Sequence, residues 1–278
     1  MLNFEYYAPT KVIFGRGTER EVGAEIKTYG CKKVLVHYGG QSALKSGLLD
    51  RVFRSLTESG IEYVALGGVV PNPRISKVRE GVALCQQEKI DFILAVGGGS
   101  VIDSAKAIGY GVACNCDPWK IYTKEIVPDH CLPVGVILTI AAAGSEMSNS
   151  SVITNEEGWL KRGYNADICR PKFAIMNPEL TYTLPPYQTA CGCTDIMMHT
   201  MERYFTTEKH VELTDQLCEG LLRTVYRNTL KVMEQPDNYD ARAEIMWAGS
   251  LSHNGDVYKR QHKRIRMKYR MRSIKVSI

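Results

Sequence analysis

Phe92-Ile93-Leu94-Ala95-Val96-Gly97-Gly98-Gly99-Ser100-Val101-Ile102-Asp103-Ser104-Ala105-Lys106 is the stretch whose reading decides the fold. It begins as an unbroken apolar run, the pattern of a strand buried on both faces, as strands of parallel sheets are. Three glycines and a serine then pass directly into residues with a helical period. A strand that ends in glycines and opens into a helix is built to receive phosphate. Glycine lets the backbone approach the anion, and the first free N–H groups of the helix point at it with the favourable end of the helix dipole. A tight turn that uses glycine for sterics alone is the plainer alternative, and the usual dinucleotide fingerprint is absent.

The same grammar repeats on either side. Val34-Leu35-Val36 leads to Gly39-Gly40 and a helical pattern over 46–59; Tyr63-Val64-Ala65-Leu66 is followed by Pro71-Asn72-Pro73 and a helix over 75–88. Residues 134–138 and 173–176 read as further buried strands, and 11–17 as an extra strand and turn. Strands alternating with helices imply an α/β fold, a Rossmann-like doubly wound parallel sheet. The grammar changes at Leu184-Pro185-Pro186. Residues 187–206, 211–234 and 239–252 have helical periodicity without strand-like runs, and Pro236-Asp237-Asn238 breaks them. The expected organisation is an α/β domain over 1–185 and the start of a helical domain over 186–255.

Composition narrows the class. With 278 residues, 44% hydrophobic and 23% charged, the chain has the profile of a globular protein. No run approaches the ~18 apolar residues of a membrane span, and the first residues lack a signal-peptide pattern, so a cytoplasmic address is expected. The nine cysteines are odd in number and include no Cys-x-x-Cys, which favours reduced thiols over a disulfide framework or zinc knuckle. The net charge of +5 resides in residues 256–278, which hold nine lysines and arginines against one acid; the preceding body is mildly acidic.

Several segments carry chemistry. Gln41-Ser42 follow the glycine pair at 39–40, where an acidic side chain usually holds the ribose diol of NAD; its absence favours NADP(H) over NAD(H). Thr139-Ile140-Ala141-Ala142-Ala143-Gly144-Ser145-Glu146 follows a buried strand, which places Thr139 at the carboxyl edge of the sheet, where ligands bind. A small-residue turn into a helix capped by Ser145 is an equal reading of that segment alone. Asp195 and His199 stand at i and i+4, on one helix face, a spacing that suits a shared divalent metal and equally a surface hydrogen bond.

Together these pieces resemble the iron-containing, group III alcohol dehydrogenase family. The residues that carry the resemblance are 10–17, Pro71-Asn72-Pro73, Gly97-Gly98-Gly99-Ser100-x-x-Asp103-x-x-Lys106-Ala107, Gly144-Ser145-Glu146-Met147, Leu184-Pro185 and Asp195-x-x-x-His199. Residues 180–186 and Tyr38-Gly39-Gly40 look most like the butanol dehydrogenase and NADPH-dependent aldehyde reductase subgroup. The resemblance implies a dehydroquinate-synthase-like architecture, with a divalent metal, iron or zinc, in a cleft between the two domains. It implies hydride transfer between a nicotinamide and a primary alcohol or aldehyde, with the metal as Lewis acid. Gly39, Gly40, Ser42, Asn72, Gly97, Gly98, Gly99, Ser100, Asp103, Thr139, Lys161 and Leu180 would contact the dinucleotide, and Asp195 and His199 the metal. No protein acid or base is identified. The partners implied are a small alcohol or aldehyde and a second subunit of a homodimer, with neither membrane nor nucleic acid.

The sequence also departs from the family. Two further metal-binding histidines belong beyond Ser252-His253-Asn254-Gly255, where the match stops, and neither His253 nor His262 fits that role. Asp256-Val257-Tyr258-Lys259-Arg260-Gln261 reads as one frame of a transposon mosaic-end sequencing adapter. Residues 256–278 are therefore expected to be a non-native basic tail; a genuine basic arm with Tyr258 and Tyr269 for phosphate or base contacts is the alternative. The chain as given is expected to lack the activity of its full-length parent. A non-catalytic nucleotide-binding fragment, and a glycerol-dehydrogenase-like or dehydroquinate-synthase-like enzyme, are the rival functions.

Overall fold

The computed structural model describes residues 3, 5–205 and 209–254, so the expectation for the tail lies outside the described residues. The first half alternates as the sequence predicts: β1 (Lys11–Phe14), α1 (Val22–Lys27), β2 (Lys33–Tyr38), α2 (Ser42–Lys45), α3 (Leu48–Glu58), β3 (Glu62–Leu66), α4 (Ile75–Glu88), β4 (Phe92–Gly97), α5 (Gly99–Ala113), α6 (Trp119–Tyr122) and β5 (Val134–Leu138). A hairpin of β6 (Ser150–Asn155) and β7 (Leu160–Asn165) precedes β8 (Phe173–Met176), and α7 (Pro186–Tyr204), α8 (Glu212–Glu234) and α9 (Tyr239–Asn254) follow. The fold is α/β with a helical carboxyl-terminal part.

Six strands form one sheet in the order β1-β8-β5-β4-β2-β3, every neighbouring pair parallel. All six residues of β4 are buried because both faces are covered. Phe92, Leu94 and Val96 point into a core with Val52 and Leu56 of α3 and Ile26 of α1, whereas Ile93 and Ala95 meet Val78 and Val82 of α4 and Ile102 and Ile108 of α5. This two-sided burial explains why strand and pleat are so legible in the apolar runs.

From β2 the chain runs outward to β3, and from β4 it runs the opposite way to β5 and β8. The order therefore reverses between β2 and β4, and a crevice opens outside their carboxyl ends. That is where ligands bind in open α/β sheets.

Two features differ from the sequence reading. The β6–β7 hairpin was not anticipated, because Leu160-Lys161-Arg162-Gly163-Tyr164-Asn165 is polar, mostly exposed and lies outside the sheet core. Ser145 caps no helix; its segment is a turn, and its hydroxyl donates to Asp103 instead. Among the described residues no helix is long and apolar enough to cross a membrane.

Candidate active site

The crevice is walled on one side by Gly39 and Gly40 after β2 and on the other by Gly97, Gly98 and Gly99 at the turn from β4 into α5. The three glycines serve different ends. A Cβ at Gly97 would lie 2.5 Å from Val101 Cγ2 and one at Gly98 2.2 Å from Ile140 Cγ2, so a side chain at either position must displace its neighbour. A Cβ at Gly99 or Gly40 would meet nothing within 4 Å. The two tight glycines thus bring strand and helix together, while Gly99, with Ser100, presents the first turn of the 15-residue α5 to open space.

Thr139 follows β5 and its N–H donates to the carbonyl of Gly97, 3.2 Å away, which ties it to the glycine turn. Ser42, Thr139 and Leu180 line one cavity of about 380 Å³, together with Arg51, Glu179 and Gln188. Arg51 is held there by its Nε, which donates to the buried carboxylate of Glu19 at 2.9 Å, and Asn177 donates to the other oxygen of Glu19. Its positive charge is therefore already partly matched inside the protein.

Asn72 and Lys161 are brought together at the edge of this region. The Asn72 backbone has φ of 56°, a left-handed conformation that asparagine tolerates between two prolines, and its Oδ1 accepts from Lys161 Nζ at 2.7 Å. The polar hairpin strand thus delivers Lys161 to the Pro71-Asn72-Pro73 turn. Asp103 is placed differently. Its two oxygens accept from Ser145 Oγ at 2.6 Å and from the Val152 N–H at 3.0 Å, so the carboxylate acts on the chain itself, and burial pushes its pKa up.

Asp195 and His199 lie on one face of α7, with Asp195 Oδ1 3.7 Å from His199 Nε2. Gln188 stands seven residues before Asp195, within about 20° of the same line along the helix. Because Gln188 lines the cavity, the stripe Gln188, Asp195, His199 starts there and continues along α7. The floor beneath the helix is close: a Cβ at Gly192 would lie 2.4 Å from the carbonyl oxygen of Ala141.

Among the described residues no group of three or more histidines, cysteines and acids is arranged to hold a metal ion. On the other side of His199 its Nδ1 lies 3.5 Å from Oε2 of the exposed Glu202, and the His253 ring stands near it, its centroid 5.1 Å from that of His199. The Nδ1 of His253 lies 3.1 Å from an Arg203 nitrogen that can only donate, so Nδ1 accepts and the ring hydrogen sits on Nε2. The donors present suit two positions of a divalent ion. Sequence reasoning missed Arg51 and Gln188. The seven-residue spacing from Gln188 to Asp195 was a signal for the second; nothing local marked the first.

A family model described as iron-containing alcohol dehydrogenase matches residues 9–178, and one for the carboxyl-terminal part of Fe-containing alcohol dehydrogenases matches residues 189–255. The probable NADH-dependent butanol dehydrogenase 1 of Bacillus subtilis is 46% identical over 255 residues, covering 92% of this chain and 66% of that protein. The NADPH-dependent aldehyde reductase YqhD of Escherichia coli is 37% identical over 260 residues, with the same coverages. The crystal structure of NADH-dependent butanol dehydrogenase A from Thermotoga maritima superposes with a TM-score of 0.89 at 42% identity, covering 91% of this chain and 63% of that one. The chain therefore spans just under two thirds of the length of these relatives.

Proposed function

The chain belongs to the iron-containing alcohol dehydrogenase family, and on that premise we propose that it carries the dinucleotide-binding part and two metal donors of an oxidoreductase that interconverts primary alcohols and aldehydes. What supports the reading is the crevice at the strand-order reversal with its open glycine turn, and a cavity lined by Thr139 and by Gln188, from which the face of α7 bearing Asp195 and His199 runs on. The bound nicotinamide supplies the hydride chemistry and a divalent iron or zinc ion the Lewis acidity.

In this reading Gly99 and Ser100 offer backbone N–H groups to the pyrophosphate, and Gly97 and Gly98 permit its approach. Thr139 and Leu180 border the nucleotide, and Gly39, Gly40 and Ser42 lie at its adenosine end. Asn72 holds Lys161 in reach of the phosphates, while Asp103 supports the glycine helix from within. Asp195 and His199 hold two positions of the metal. The substrate class is a small primary alcohol or aldehyde.

NADP(H) is proposed over NAD(H) because Gln41 and Ser42, not an acid, follow the glycine pair; the butanol dehydrogenase relatives are named NADH-dependent, and the aldehyde reductase NADPH-dependent. Parallel titrations of the 278-residue chain with NADPH and NADH test both points. Saturable binding with a lower Kd for NADPH is expected, no binding of either overturns the reading, and a lower Kd for NADH overturns the preference. Aldehyde-dependent NADPH oxidation with added iron or zinc tests the chemistry. With two described donors, turnover is expected far below the ~1–10³ s⁻¹ typical of enzymes.

A further inference from the structure

Lys106 sits in the middle of α5, wholly shielded from solvent. Its Nζ lies 2.7 Å from the carbonyl oxygen of Ser145, 2.9 Å from those of Ser148 and Ser150, and 3.1 Å from Ser145 Oγ. Three carbonyls can only accept, and only an ammonium has three N–H groups to give them, one of which Ser145 Oγ shares at its longer distance, so the geometry fits the charged form. Burial lowers the pKa of Lys106, and Asp103 and Glu146 oppose that shift. Ser145 Oγ donates to Asp103, leaving its lone pairs to Lys106; ammonium, hydroxyl and carboxylate stand in series.

Every one of the Lys106 contacts goes to Ser145, Ser148 or Ser150, the end of the crossover from β5 and the first residue of β6. A methionine or leucine would fill the space at less cost in desolvation; what the ammonium adds is the set of acceptors it gathers from one segment. The crossover it holds does two things. At its start, Thr139 lines the cavity and Ala141 forms the floor under Gly192 of α7. Further on, Gly144 accepts from Asn254, and Glu146 accepts from Ser250 of α9.

We propose that Lys106 is a positioning residue: it fastens the β5–β6 crossover to the glycine helix and thereby sets the placement of the α7 metal-binding face against the dinucleotide crevice. The nucleotide part of this inference rests on the function proposed above; the fastening does not.

The test compares the full chain with Lys106→Met, which keeps the unbranched side chain up to the ε position and removes the charged nitrogen. Amide hydrogen exchange is expected to rise at least tenfold in residues 139–150 and 189–196 and to stay unchanged in β2 and α3. The Kd for NADPH should rise about tenfold, whereas that of adenosine 2′,5′-bisphosphate, which probes the adenosine end alone, should change less than twofold. A merely structural role would weaken both ligands alike. Ser145→Ala, which removes one acceptor and leaves the carbonyls, should produce the same pattern at threefold to fivefold and carries the test if Lys106→Met does not fold. Unchanged exchange in 139–150, or equal loss for both ligands, overturns the proposal. If the parent chain binds neither nucleotide, the functional reading fails and the exchange comparison still decides the fastening.

Discussion

Strand β4 and helix α8 are built on opposite terms. Every residue of β4 is buried, and helices cover it from both sides. Of the 23 residues of α8 only Thr214, Cys218, Val225, Asn228 and Val232 are buried, while Leu213, Tyr226 and Leu230 face outward. An apolar groove of about 250 Å³ runs between α8 and α9, lined by Leu217, Leu221, Trp247 and Leu251. The sheet region is closed among the described residues, and the helical region is held together by a small core of Cys193, Ile196, Val225, Val232 and Ile245. The glycine turn and the Asp195 and His199 pair therefore rest on supports of unequal strength.

The largest test of that inequality is Ile196→Ala. It should cost roughly 2–5 kcal/mol, the range for emptying a well-packed core site, and should open the helical region first. Chemical denaturation followed by exchange in α7 to α9 against the sheet strands will read this; equal exposure of both regions would erase the distinction. The sheet has its own weak point in His37, fully buried on β2. Its Nδ1 faces the Leu66 carbonyl at 2.9 Å, so it must donate, and its Nε2 accepts from Ser104 Oγ at 2.8 Å. Burial pushes its pKa down to about 4 from 6.5. Between those values the unfolded chain binds a proton that the folded one refuses. The contribution is thus whole above pH 6.5 and is lost as pH falls towards 4, by about 3 kcal/mol in all. Unfolding free energies at pH 7, 5 and 4 should show this slope in the native chain and a flatter one in His37→Gln.

Gly98→Val places atoms where Ile140 already stands and should weaken NADPH binding by about 100-fold, close to 2.7 kcal/mol. A titration that finds unchanged affinity would move the nucleotide away from this turn. Smaller still, Asp195→Ala or His199→Ala should reduce zinc affinity about tenfold, measured by competition with a chromogenic chelator, without altering NADPH affinity. The smallest effect is expected from Trp247→Ser, within ~0.5 kcal/mol in stability because the ring is partly exposed. It should reduce self-association in sedimentation, since it removes apolar surface from the open groove.

The legible parts of this chain are those where a local pattern and a buried environment coincide. β4 and α5 could be read because both faces of the strand are covered, and the glycine turn because three glycines in a row have few uses. Asp195 and His199 were readable as a pair because helical spacing alone puts them on one face. β7 resisted reading because it pairs with β6 away from the core and needs no apolar alternation. Asp103 looked like a ligand contact in its motif, and its carboxylate turns inward to Ser145 and Val152.

The sequence by itself determined the alternation of strands and helices, the change of architecture near residue 186, the glycine turn and the Asp195 and His199 pair. All of these follow from chain periodicity and from the stereochemistry of neighbouring residues. Only the tertiary structure decided that the strand order reverses between β2 and β4, that Arg51 and Gln188 share a cavity with Thr139, and that Lys106 binds a segment some forty residues away. Those relations depend on which buried surfaces meet and on where a buried charge finds its acceptors, and pairings so distant along the chain leave no periodic mark within it.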